Sequence, residues 1–387
     1  MKTIKDLKIK NKRVFLRCDF NVPIKNGRIT DTTRIENAIP TIKAILSEKP
    51  KQIILASHLG RPKGYDEKLS LGIVAKKLSE IMHKEIYLHP LIEAPIEVNI
   101  DIVMLENLRF FEGEKKGSIA FAKQLAQHVD VYVDDAFGTA HRKDASVYAL
   151  AKLLPNAVGL LIQKELENVH LNHPKPIVAI FGAAKIHDKL PLFKKLLDKV
   201  DKLILGGGVV FTFLKAGGIE VGKSLVEEEM VETAKQLLKK YSSKIVFPVD
   251  FVGTTPAKLK KLDSLSTLEK KQSIRTVSVE NISKSIACYD VGPKTVKLFS
   301  AVINSSKTVV WNGPLGMFEV KPFDKSTKQL ANYISKHNKK CIVCGGDTVA
   351  STSGVLKSGK LVHISTGGGA SLELLAGNKL PAVEVLK

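Results

Sequence analysis

Short apolar runs alternate with stretches of helical periodicity along nearly the whole chain. Ten of the runs have the length and flanking residues of buried strands: 14–16, 53–56, 102–105, 129–133, 177–181, 203–205, 245–248, 308–311, 341–344 and 361–364. Uninterrupted runs of this kind are typical of parallel sheets that helices cover on both faces. Because ten strands are more than a single sheet usually contains, the pattern predicts an α/β protein of two domains.

The alternation breaks at a segment with two prolines between His170 and Pro176. The residues just before it, 160–169, have helical periodicity and could connect the domains. We therefore expect an N-terminal domain of residues 1–169 and a C-terminal domain of residues 170–369, joined by a hinge helix.

The chain carries 60 Lys and Arg against 39 Asp and Glu, a formal net charge of +21. This excess favours anionic partners, either nucleic acid or phosphorylated metabolites. No apolar run reaches the roughly 18–20 residues of a membrane span, and the N-terminus lacks the apolar core of a signal peptide. We expect a cytoplasmic protein without a membrane partner. Cys341 and Cys344 lie in an apolar run, which favours buried thiols over a redox or zinc site.

Arginine and histidine follow the strand candidates of the first half, at the points where these strands end. The residues are Arg17, Arg34 at the start of a helix, His58 with Arg61, Arg109, and His141 with Arg142. Ligands of parallel sheets bind at the carboxyl ends of the strands, so these side chains are expected on one rim. A single arginine there is usually a surface ion pair. Five arginines would repel one another without an anion, so the group predicts a site for a small polyanion.

Glycines, lysines and acids follow the strand candidates of the second half, in segments 182–189, 206–208, 312–319 and 345–348. Glycine loops with lysine, carboxylate and hydroxyl groups are the ingredients of a site for a nucleotide and its metal. The sequence contains no GxxxxGK[ST] motif and no GxGxxG motif after the first strand. Neither a P-loop enzyme nor a dinucleotide-binding Rossmann enzyme is therefore indicated.

Three glycines, Gly367 to Gly369, separate the last strand candidate from a helical pattern that contains Glu373. The backbone N–H groups and the dipole at a helix N-terminus favour an anion, and glycine allows its close approach. The glycines alone are as compatible with a plain turn. Together with the two preceding groups, however, they predict a kinase that acts on a small phosphorylated acid.

Ten ordered motifs resemble those of the phosphoglycerate kinase family. They run from about residue 13 to the end of the chain: RCDFNVP, SHLGRP, LENLRF, DDAFGTAHR, GAAKIHDK, GGG at 206–208, KTVKLF, VVWNGPLGMFE, GGDTVA and STGGGASLELL. The resemblance implies reversible phosphoryl transfer between ATP and the carboxylate of 3-phosphoglycerate, giving ADP and 1,3-bisphosphoglycerate, in glycolysis and gluconeogenesis. It also implies Mg²⁺, a monomer, two Rossmann-like domains that close around a cleft, and residues 370–387 that fold back onto the first domain.

The resemblance assigns phosphoglycerate to the N-terminal half and the nucleotide to the C-terminal half. The implied substrate-binding residues are Arg17, Asp19, Phe20, Asn21, Arg34, His58, Leu59, Gly60, Arg61, Arg109 and Arg142. The implied nucleotide-binding residues are Lys185 and Lys189 at the phosphates, Gly206, Gly207 and Gly208 at the base, Asn312, Glu319 at the ribose, and Gly345, Gly346, Asp347 and Thr348, with Asp347 at the metal.

The chemistry of the implied reaction explains these residue types. The nucleophile is a carboxylate that is already ionised at pH 7, so no general base is needed. The reaction instead needs positive charge and backbone donors that hold two anions and the transferred phosphoryl group in line. We expect catalytic roles for Arg34, Lys185, Lys189 and the amides of Gly367, Gly368 and Gly369. Domain closure is expected to expel water.

Four positions depart from the family pattern. Ala183 replaces a usual glycine and would be strained if the position needs a positive φ. Asp134 stands where the family often has Asn; with Asp135 it could hold a second metal, but a structural role that closes the loop is the preferred interpretation. Cys288 stands where Gly is frequent, which leaves the contact there open, and His187 replaces a usually small residue.

Two other functions fit parts of the sequence. A basic nucleic-acid-binding protein would explain the charge, but aromatic residues make up only 6% and the arginines follow strands rather than one helix face. Another two-domain kinase for a carboxylate is the nearer alternative. Its substrate would need fewer arginines if it were unphosphorylated, so the sequence favours a phosphorylated acid and no nucleic-acid partner.

Overall fold

The chain divides into two compact units in the computed structural model, which describes residues 1–90, 98–262 and 272–386. The first unit contains Met1–Glu167 and Asn378–Lys387, and the second contains Asn168–Gly377. The boundaries thus lie at 167/168 and 377/378, whereas the sequence suggested 169/170 and 369/370. No helix in the described part of the chain is long and apolar enough to cross a membrane.

The first unit is built on a six-stranded parallel sheet of order β5-β6-β4-β1-β7-β8, with β2 and β3 in a short antiparallel hairpin. Its strands are β1 (Arg13–Arg17), β2 (Ile24–Lys25), β3 (Arg28–Ile29), β4 (Gln52–Ala56), β5 (Tyr87–His89), β6 (Ile102–Leu105), β7 (Val131–Asp134) and β8 (Asn156–Val158). The helices are Thr33–Ser47, Gly72–Met82, Glu112–Lys115, Ile119–Ala126, Leu160–Asn168, which ends at the boundary between the units, and Pro381–Glu384.

This sheet is buried because its strands are apolar on both faces. In β1, for example, Val14 and Leu16 point to one face and Phe15 to the other, and all three are inaccessible to solvent or nearly so. Helix Thr33–Ser47 covers the sheet with residues at helical spacing: Ile35, Ala38, Ile42 and Ile45. The packed layers hold the carboxyl ends of the strands as a fixed rim.

The second unit is built on another six-stranded parallel sheet, of order β11-β10-β9-β15-β16-β17, and a smaller antiparallel sheet of order β13-β12-β14. Its strands are β9 (Ile177–Gly182), β10 (Lys202–Gly206), β11 (Ile245–Val246), β12 (Asp250–Thr254), β13 (Arg275–Ser278), β14 (Ala287–Val291), β15 (Thr308–Asn312), β16 (Lys340–Cys344) and β17 (Val362–Ile364). The helices are Leu190–Lys199, Val209–Ala216, Val231–Tyr241, Pro256–Lys260, Pro293–Asn304, Lys325–Lys336, Gly346–Thr352 and Gly369–Leu375.

The order of the larger sheet is that of Rossmann folds, and it reverses between β9 and β15. The loops that follow these two strands run to opposite sides of the sheet and leave a crevice between them. The fold therefore places a ligand site beside Gly182 and Asn312, which end the two strands.

The predicted α/β class is confirmed, and each of the ten strand candidates coincides with or overlaps a strand. The pattern missed β5 and β8, which are short strands at the two edges of the first sheet. It also missed the hairpin and β12 to β14, because these antiparallel strands carry polar residues such as Asp250 and Asp290 and form no continuous apolar run.

Candidate functional sites

Charged side chains gather at the carboxyl end of the first sheet, where the order of the strands reverses at β1. Asp19 comes just after β1, and His58 just after β4. Arg109 and Arg142 come after β6 and β7, and Arg34 lies in the first turn of helix Thr33–Ser47. We call Asp19, Arg34, His58, Arg109 and Arg142 the basic site.

The segment after β1 fixes Arg34 through Asp19. Arg34 Nη1 donates a hydrogen bond to Asp19 Oδ2, and the Asn21 N–H donates to Asp19 Oδ1 at 3.2 Å. Burial raises the pKa of the Asp19 carboxyl, but the charge of Arg34 and neighbouring groups outweighs burial and holds the pKa below its ordinary value. Next to it, the Phe20 N–H donates to Ser57 Oγ at 2.8 Å. Asp19 is therefore an ionised anchor for Arg34, whose side chain is 31% exposed.

The loop after β4 is held by groups that the sequence assigned to the substrate. The Asn21 side-chain oxygen accepts a hydrogen bond from the Gly60 N–H at 2.8 Å, and Arg109 Nη1 donates to the Gly60 carbonyl at 2.6 Å. Asn107 forms hydrogen bonds with both backbone groups of Leu59. Gly60 has a φ of +64°, a conformation that favours glycine. These contacts set the position of His58, which lies in the same loop.

The electrostatics of the basic site favour an anion. Burial, followed by repulsion from Arg142, lowers the pKa of Arg109 to about 10. Burial also lowers the pKa of His58 well below its ordinary value; Asp19 opposes this shift, while three arginines reinforce it. Both shifts mean that positive charge is unfavourable here as the site stands. A bound polyanion would relieve that repulsion.

Arg61, which lies next to the basic site, and Arg142, which belongs to it, differ in accessibility. Arg61 is exposed beside the loop after β4. Arg142 is half-buried, and its Nε donates to His141 Nε2 at 3.3 Å. Both arginines are therefore at least partly accessible to solvent.

Arg17, in contrast, is fully buried behind the basic site. Its Nε donates to Ser146 Oγ at 2.8 Å, Nη1 donates to the Cys18 carbonyl, and Nη2 lies 3.8 Å from Glu114 Oε1. Nη2 also lies 3.5 Å from His58 Nδ1. These contacts occupy the guanidinium with protein groups, which differs from the direct substrate contact expected for Arg17.

Asp134 and Asp135 make the contacts of structural residues. Asp134 Oδ1 accepts a hydrogen bond from the Ala136 N–H at 2.9 Å. Asp135 Oδ1 accepts from the Leu161 and Ile162 N–H groups at 2.8 and 3.3 Å, which caps the helix that begins at Leu160. Burial raises the pKa of Asp134 to about 6 and that of Asp135 to about 7. The contacts support the interpretation that the pair closes the loop.

A cavity of about 550 Å³ lies at the carboxyl end of the second sheet, next to the switch between β9 and β15. We call it the glycine cavity. Five of the residues predicted to bind the nucleotide line this cavity: Lys189, Gly207, Gly208, Glu319 and Asp347. Gly182, Ala183 and Gly316 also line it. The other predicted nucleotide-binding residues lie outside the lining: Lys185, Gly206, Asn312, Gly345, Gly346 and Thr348.

Close backbone contacts explain the glycines around this cavity. A Cβ on Gly313 would lie 1.4 Å from the Gly182 carbonyl oxygen, so the loops after β9 and β15 can meet only without a side chain there. Gly207 has a φ of +71°, and a Cβ on it would lie 2.6 Å from the Ala183 carbonyl oxygen. Ala183 itself does not have a positive φ. The substitution of glycine by Ala183 therefore introduces no strain of the kind considered from the sequence.

Two predicted polar contacts hold protein loops. Thr348 is fully buried; its Oγ1 accepts a hydrogen bond from the Gly313 N–H and donates to the Cys344 carbonyl, both at 2.6 Å. Asn312 Nδ2 donates to the same carbonyl at 2.9 Å. Thr348 thus braces the loop after β15, whereas Asp347 beside it is exposed at the cavity.

The walls of the glycine cavity are largely apolar, and sequence reasoning missed the part that comes from the helix and the antiparallel sheet. The apolar lining residues are Phe211, Leu225, Phe251, Cys288, Tyr289, Val291, Pro314, Leu315, Met317 and Phe318, and Asp290 adds a carboxyl group to the wall. Half of these ten belong to helix Val209–Ala216 or to the antiparallel sheet, whose strands gave no clear signal. Cys288, one of the departures from the family pattern, therefore faces this cavity, and burial raises the pKa of its thiol to about 11.

The last glycine turn connects β17 to helix Gly369–Leu375. Gly368 has a φ of +52°, which favours glycine. The Gly367 N–H donates to Ser365 Oγ at 3.2 Å, so this amide is used within the turn. Of the three expected amides, those of Gly368 and Gly369 remain the candidates for a phosphate contact.

Comparison with known proteins gives a consistent result. A sequence model of the phosphoglycerate kinase family matches residues 4–378. The phosphoglycerate kinase of Finegoldia magna is 43% identical over 404 residues, covering 100% of this chain and 98% of the relative. That of Pelotomaculum thermopropionicum is 42% identical with the same coverage.

Solved structures agree with the sequence comparisons. The phosphoglycerate kinase of Coxiella burnetii has a TM-score of 0.86 at 35% identity, and that of Pyrococcus horikoshii has a TM-score of 0.83 at 27% identity. Each alignment covers 100% of this chain and 98% of the solved chain. The chain belongs to the phosphoglycerate kinase family.

Proposed function

We propose that the protein transfers a phosphoryl group reversibly between ATP and the carboxylate of 3-phosphoglycerate, giving ADP and 1,3-bisphosphoglycerate in glycolysis and gluconeogenesis. The family match over residues 4–378 carries this proposal. The basic site of one unit and the glycine cavity of the other supply the two kinds of ligand site that the reaction needs.

The basic site is proposed to bind 3-phosphoglycerate. Arg34, Arg61, Arg109 and Arg142 provide guanidinium groups for its phosphate and carboxylate. The mutual repulsion of Arg109 and Arg142 supports an anionic ligand. Asp19, Phe20, Asn21, Leu59 and Gly60 contribute mainly by holding this frame, as their hydrogen bonds indicate.

The glycine cavity is proposed to bind the nucleotide. Its apolar walls suit a base, and Glu319 suits a ribose hydroxyl. Lys189 and Lys185, which lie on the same loop, are proposed to contact the phosphates. Both lysines are also proposed to be catalytic. The loop glycines allow close approach of the backbone.

Asp347 is the candidate ligand for Mg²⁺. Its carboxylate is exposed at the cavity, and Mg²⁺ in nucleotide sites uses one or two carboxylates together with phosphate oxygens. When bound, the ion neutralises charge on the phosphates. The residues present therefore fit the cofactor that the family implies.

The proposed mechanism needs no general base, because the substrate carboxylate is ionised at neutral pH. Arg34, Lys185, Lys189 and the amides of Gly368 and Gly369 are proposed to stabilise the transferred phosphoryl group. Since the ligands are assigned to different units, domain closure is part of the proposal. A monomer in the cytoplasm, with no nucleic-acid or membrane partner, completes it.

The test is a steady-state assay with Mg-ATP and 3-phosphoglycerate, coupled to reduction of the acyl phosphate. We expect turnover on the order of 1–10³ s⁻¹. Glycerate, which lacks the phosphate, serves as the matched control and should give little or no product. Equal rates with both acids would contradict the role of the basic site, and no turnover with 3-phosphoglycerate would contradict the function.

A further inference from the structure

A chain of buried polar groups runs from Glu114 to His58 behind the basic site. Glu114, Ser146 and Arg17 are inaccessible to solvent, and His58 is 3% exposed. We propose that Arg17 fixes His58 as the neutral tautomer with its proton on Nε2, and that Glu114 and Ser146 are positioning residues that act through Arg17. The effect on substrate binding rests on the proposed function, because it assumes that His58 faces 3-phosphoglycerate. The assignment of the tautomer does not depend on the proposed function.

The first part of the chain orients the Arg17 guanidinium. Ser146 Oγ donates a hydrogen bond to Glu114 Oε1 at 2.6 Å, and the Ser146 N–H donates to Glu114 Oε2 at 3.0 Å. Since the hydroxyl proton points to the carboxylate, the oxygen is an acceptor toward Arg17, and Arg17 Nε donates to it at 2.8 Å. The hydrogen bonds thus run in one direction, from Arg17 to Ser146 and from Ser146 to Glu114, and they orient the guanidinium.

The second part of the chain determines the tautomer of His58. Arg17 Nη2 lies 3.5 Å from His58 Nδ1. A guanidinium has donors and no acceptor, so Nδ1 must be the unprotonated nitrogen in this contact. The proton of a neutral imidazole then lies on Nε2. A doubly protonated ring would place an N–H of Nδ1 against the N–H of a cation.

The surroundings of His58 agree with a neutral ring. The charged groups that act on it are Arg17 from β1, Arg109 after β6, Arg142 after β7, and Asp19 after β1. Burial is the main cause that lowers the pKa of His58, and the three cations reinforce it against Asp19, so the pKa lies well below its ordinary value and the ring is neutral at pH 7.

A neutral ring of fixed tautomer gives the site a single directional donor. The Nε2–H group can donate one hydrogen bond to a hydroxyl or carboxylate oxygen of 3-phosphoglycerate. The arginines supply the positive charge, while His58 supplies one hydrogen-bond donor of fixed direction. Because the ring is already neutral, its contribution to binding should stay constant between pH 6 and pH 8.

The direct test is a two-bond ¹H–¹⁵N correlation spectrum of the ¹⁵N-histidine-labelled protein. The His58 signals are assigned by comparison with His58→Gln. We expect an unprotonated Nδ1 and a protonated Nε2, unchanged from pH 6 to pH 8. A protonated Nδ1, in either a neutral or a charged ring, would overturn the inference, and the wild-type protein alone gives this result.

Variants test which residues set the tautomer. Arg17→Met removes the donor to Nδ1, and we expect His58 to populate both tautomers and to titrate at higher pH. Ser146→Ala should produce a smaller change in the same direction, which Ser146→Thr, with its hydroxyl retained, should reverse. Arg13→Met, at the other end of β1, is the matched control and should leave the His58 spectrum unchanged. An unaltered spectrum in folded Arg17→Met would contradict the role of Arg17.

Binding of 3-phosphoglycerate provides the functional test. The Kd should rise roughly tenfold in Arg17→Met, and its change between pH 6 and pH 8 should differ from that of wild type, in which only the ligand phosphate titrates. The two proposals fail differently. If His58 shows the expected tautomer but 3-phosphoglycerate does not bind, the proposed function is wrong while the buried chain of contacts stands. If 3-phosphoglycerate binds but Nδ1 is protonated, the inference is wrong and the function stands.

Discussion

The carboxylate of Asp19 accepts a hydrogen bond from the guanidinium of Arg34, and both side chains lie at the carboxyl end of the first sheet. Asp19 is 9% exposed, so this ion pair is largely screened from water on one side. The carboxylate fixes one edge of the guanidinium and leaves its other N–H groups for an anion. A flexible side chain is thereby held in a defined position before any ligand binds.

Arg34→Ala should lower kcat about 10²–10³-fold while changing the KM for 3-phosphoglycerate less, because the lost interaction is made mainly with the transferred phosphoryl group. Steady-state kinetics measure both constants, and circular dichroism checks folding. Arg28→Ala replaces an exposed arginine of β3 and should leave both constants within twofold. Turnover within a few-fold of wild type in folded Arg34→Ala would show that Arg34 is not catalytic.

Binding of 3-phosphoglycerate should stabilise the protein, because an anion relieves the repulsion between Arg109 and Arg142. At a ligand concentration of 100 Kd, the free energy of unfolding should rise by about 2.7 kcal/mol.

Arg142→Ala should weaken binding by roughly tenfold or more, since it removes a charged hydrogen-bond donor. Calorimetric titration and thermal unfolding measure the two effects. An Arg142→Ala protein with wild-type affinity would remove Arg142 from the substrate site.

Gly313→Ala should destabilise the second unit by roughly 3–5 kcal/mol, because the new Cβ would lie 1.4 Å from the Gly182 carbonyl oxygen. ATP affinity should fall as well, since Gly182 lines the cavity and Gly313 lies in the loop that follows β15. Gly359→Ala is the control: a Cβ there meets nothing within 4 Å, so stability should change by less than about 1 kcal/mol. Equal stability of the two variants in denaturant titrations would contradict the proposed close contact.

Asp290 should make stability depend on pH in the acid to neutral range. Burial raises its pKa to about 7, although hydrogen bonds from Ser326 and Val291 oppose the shift. In the unfolded chain its pKa is about 3.9, so between about pH 4 and pH 7 the folded state binds more protons and the free energy of unfolding falls as pH rises.

Asp290→Asn cannot ionise and should reduce the fall between pH 5 and pH 8 by up to about 3 kcal/mol. Denaturant titrations at pH 5 and pH 8 provide the comparison, and Asp101→Asn, at an exposed position, is the control. If Asp290→Asn and wild type lose the same stability between the two pH values, Asp290 is not the titrating group.

Ala183→Gly tests the departure from the family pattern. Because Ala183 has no positive φ, restoring glycine relieves no strain. The KM for ATP should stay within about twofold, and stability should fall by at most about 1 kcal/mol through the greater freedom of the unfolded chain. A clear gain in stability or in ATP affinity would show that the alanine carries a cost that the backbone angles do not reveal.

The periodicity of the sequence was enough to predict both parallel sheets, because their strands are apolar on both faces. It could not predict β12 to β14, since an antiparallel sheet with polar residues such as Asp290 leaves no comparable run. The aromatic wall of the glycine cavity, with Phe211 and Phe251, was missed because its residues come from elements distant in sequence.

The motifs identified the functional residue types, but not which way each side chain points. Arg17 and Arg34 both looked like ligands for an anion, yet one is buried against Glu114 and the other is partly exposed. Thr348 and Asp347 are adjacent, but only Asp347 lines the cavity. Tertiary packing decides such pairs, and local sequence does not contain it.

Formation of ATP from ADP and 1,3-bisphosphoglycerate, in the presence of Mg²⁺, tests the central claim most directly. We expect rapid ATP formation by the wild-type protein, a rate about 10²–10³-fold lower for Arg34→Ala, and a wild-type rate for Arg28→Ala. No ATP from the wild-type protein, or equal rates from all three, would contradict the assignment of phosphoryl transfer to these two sites.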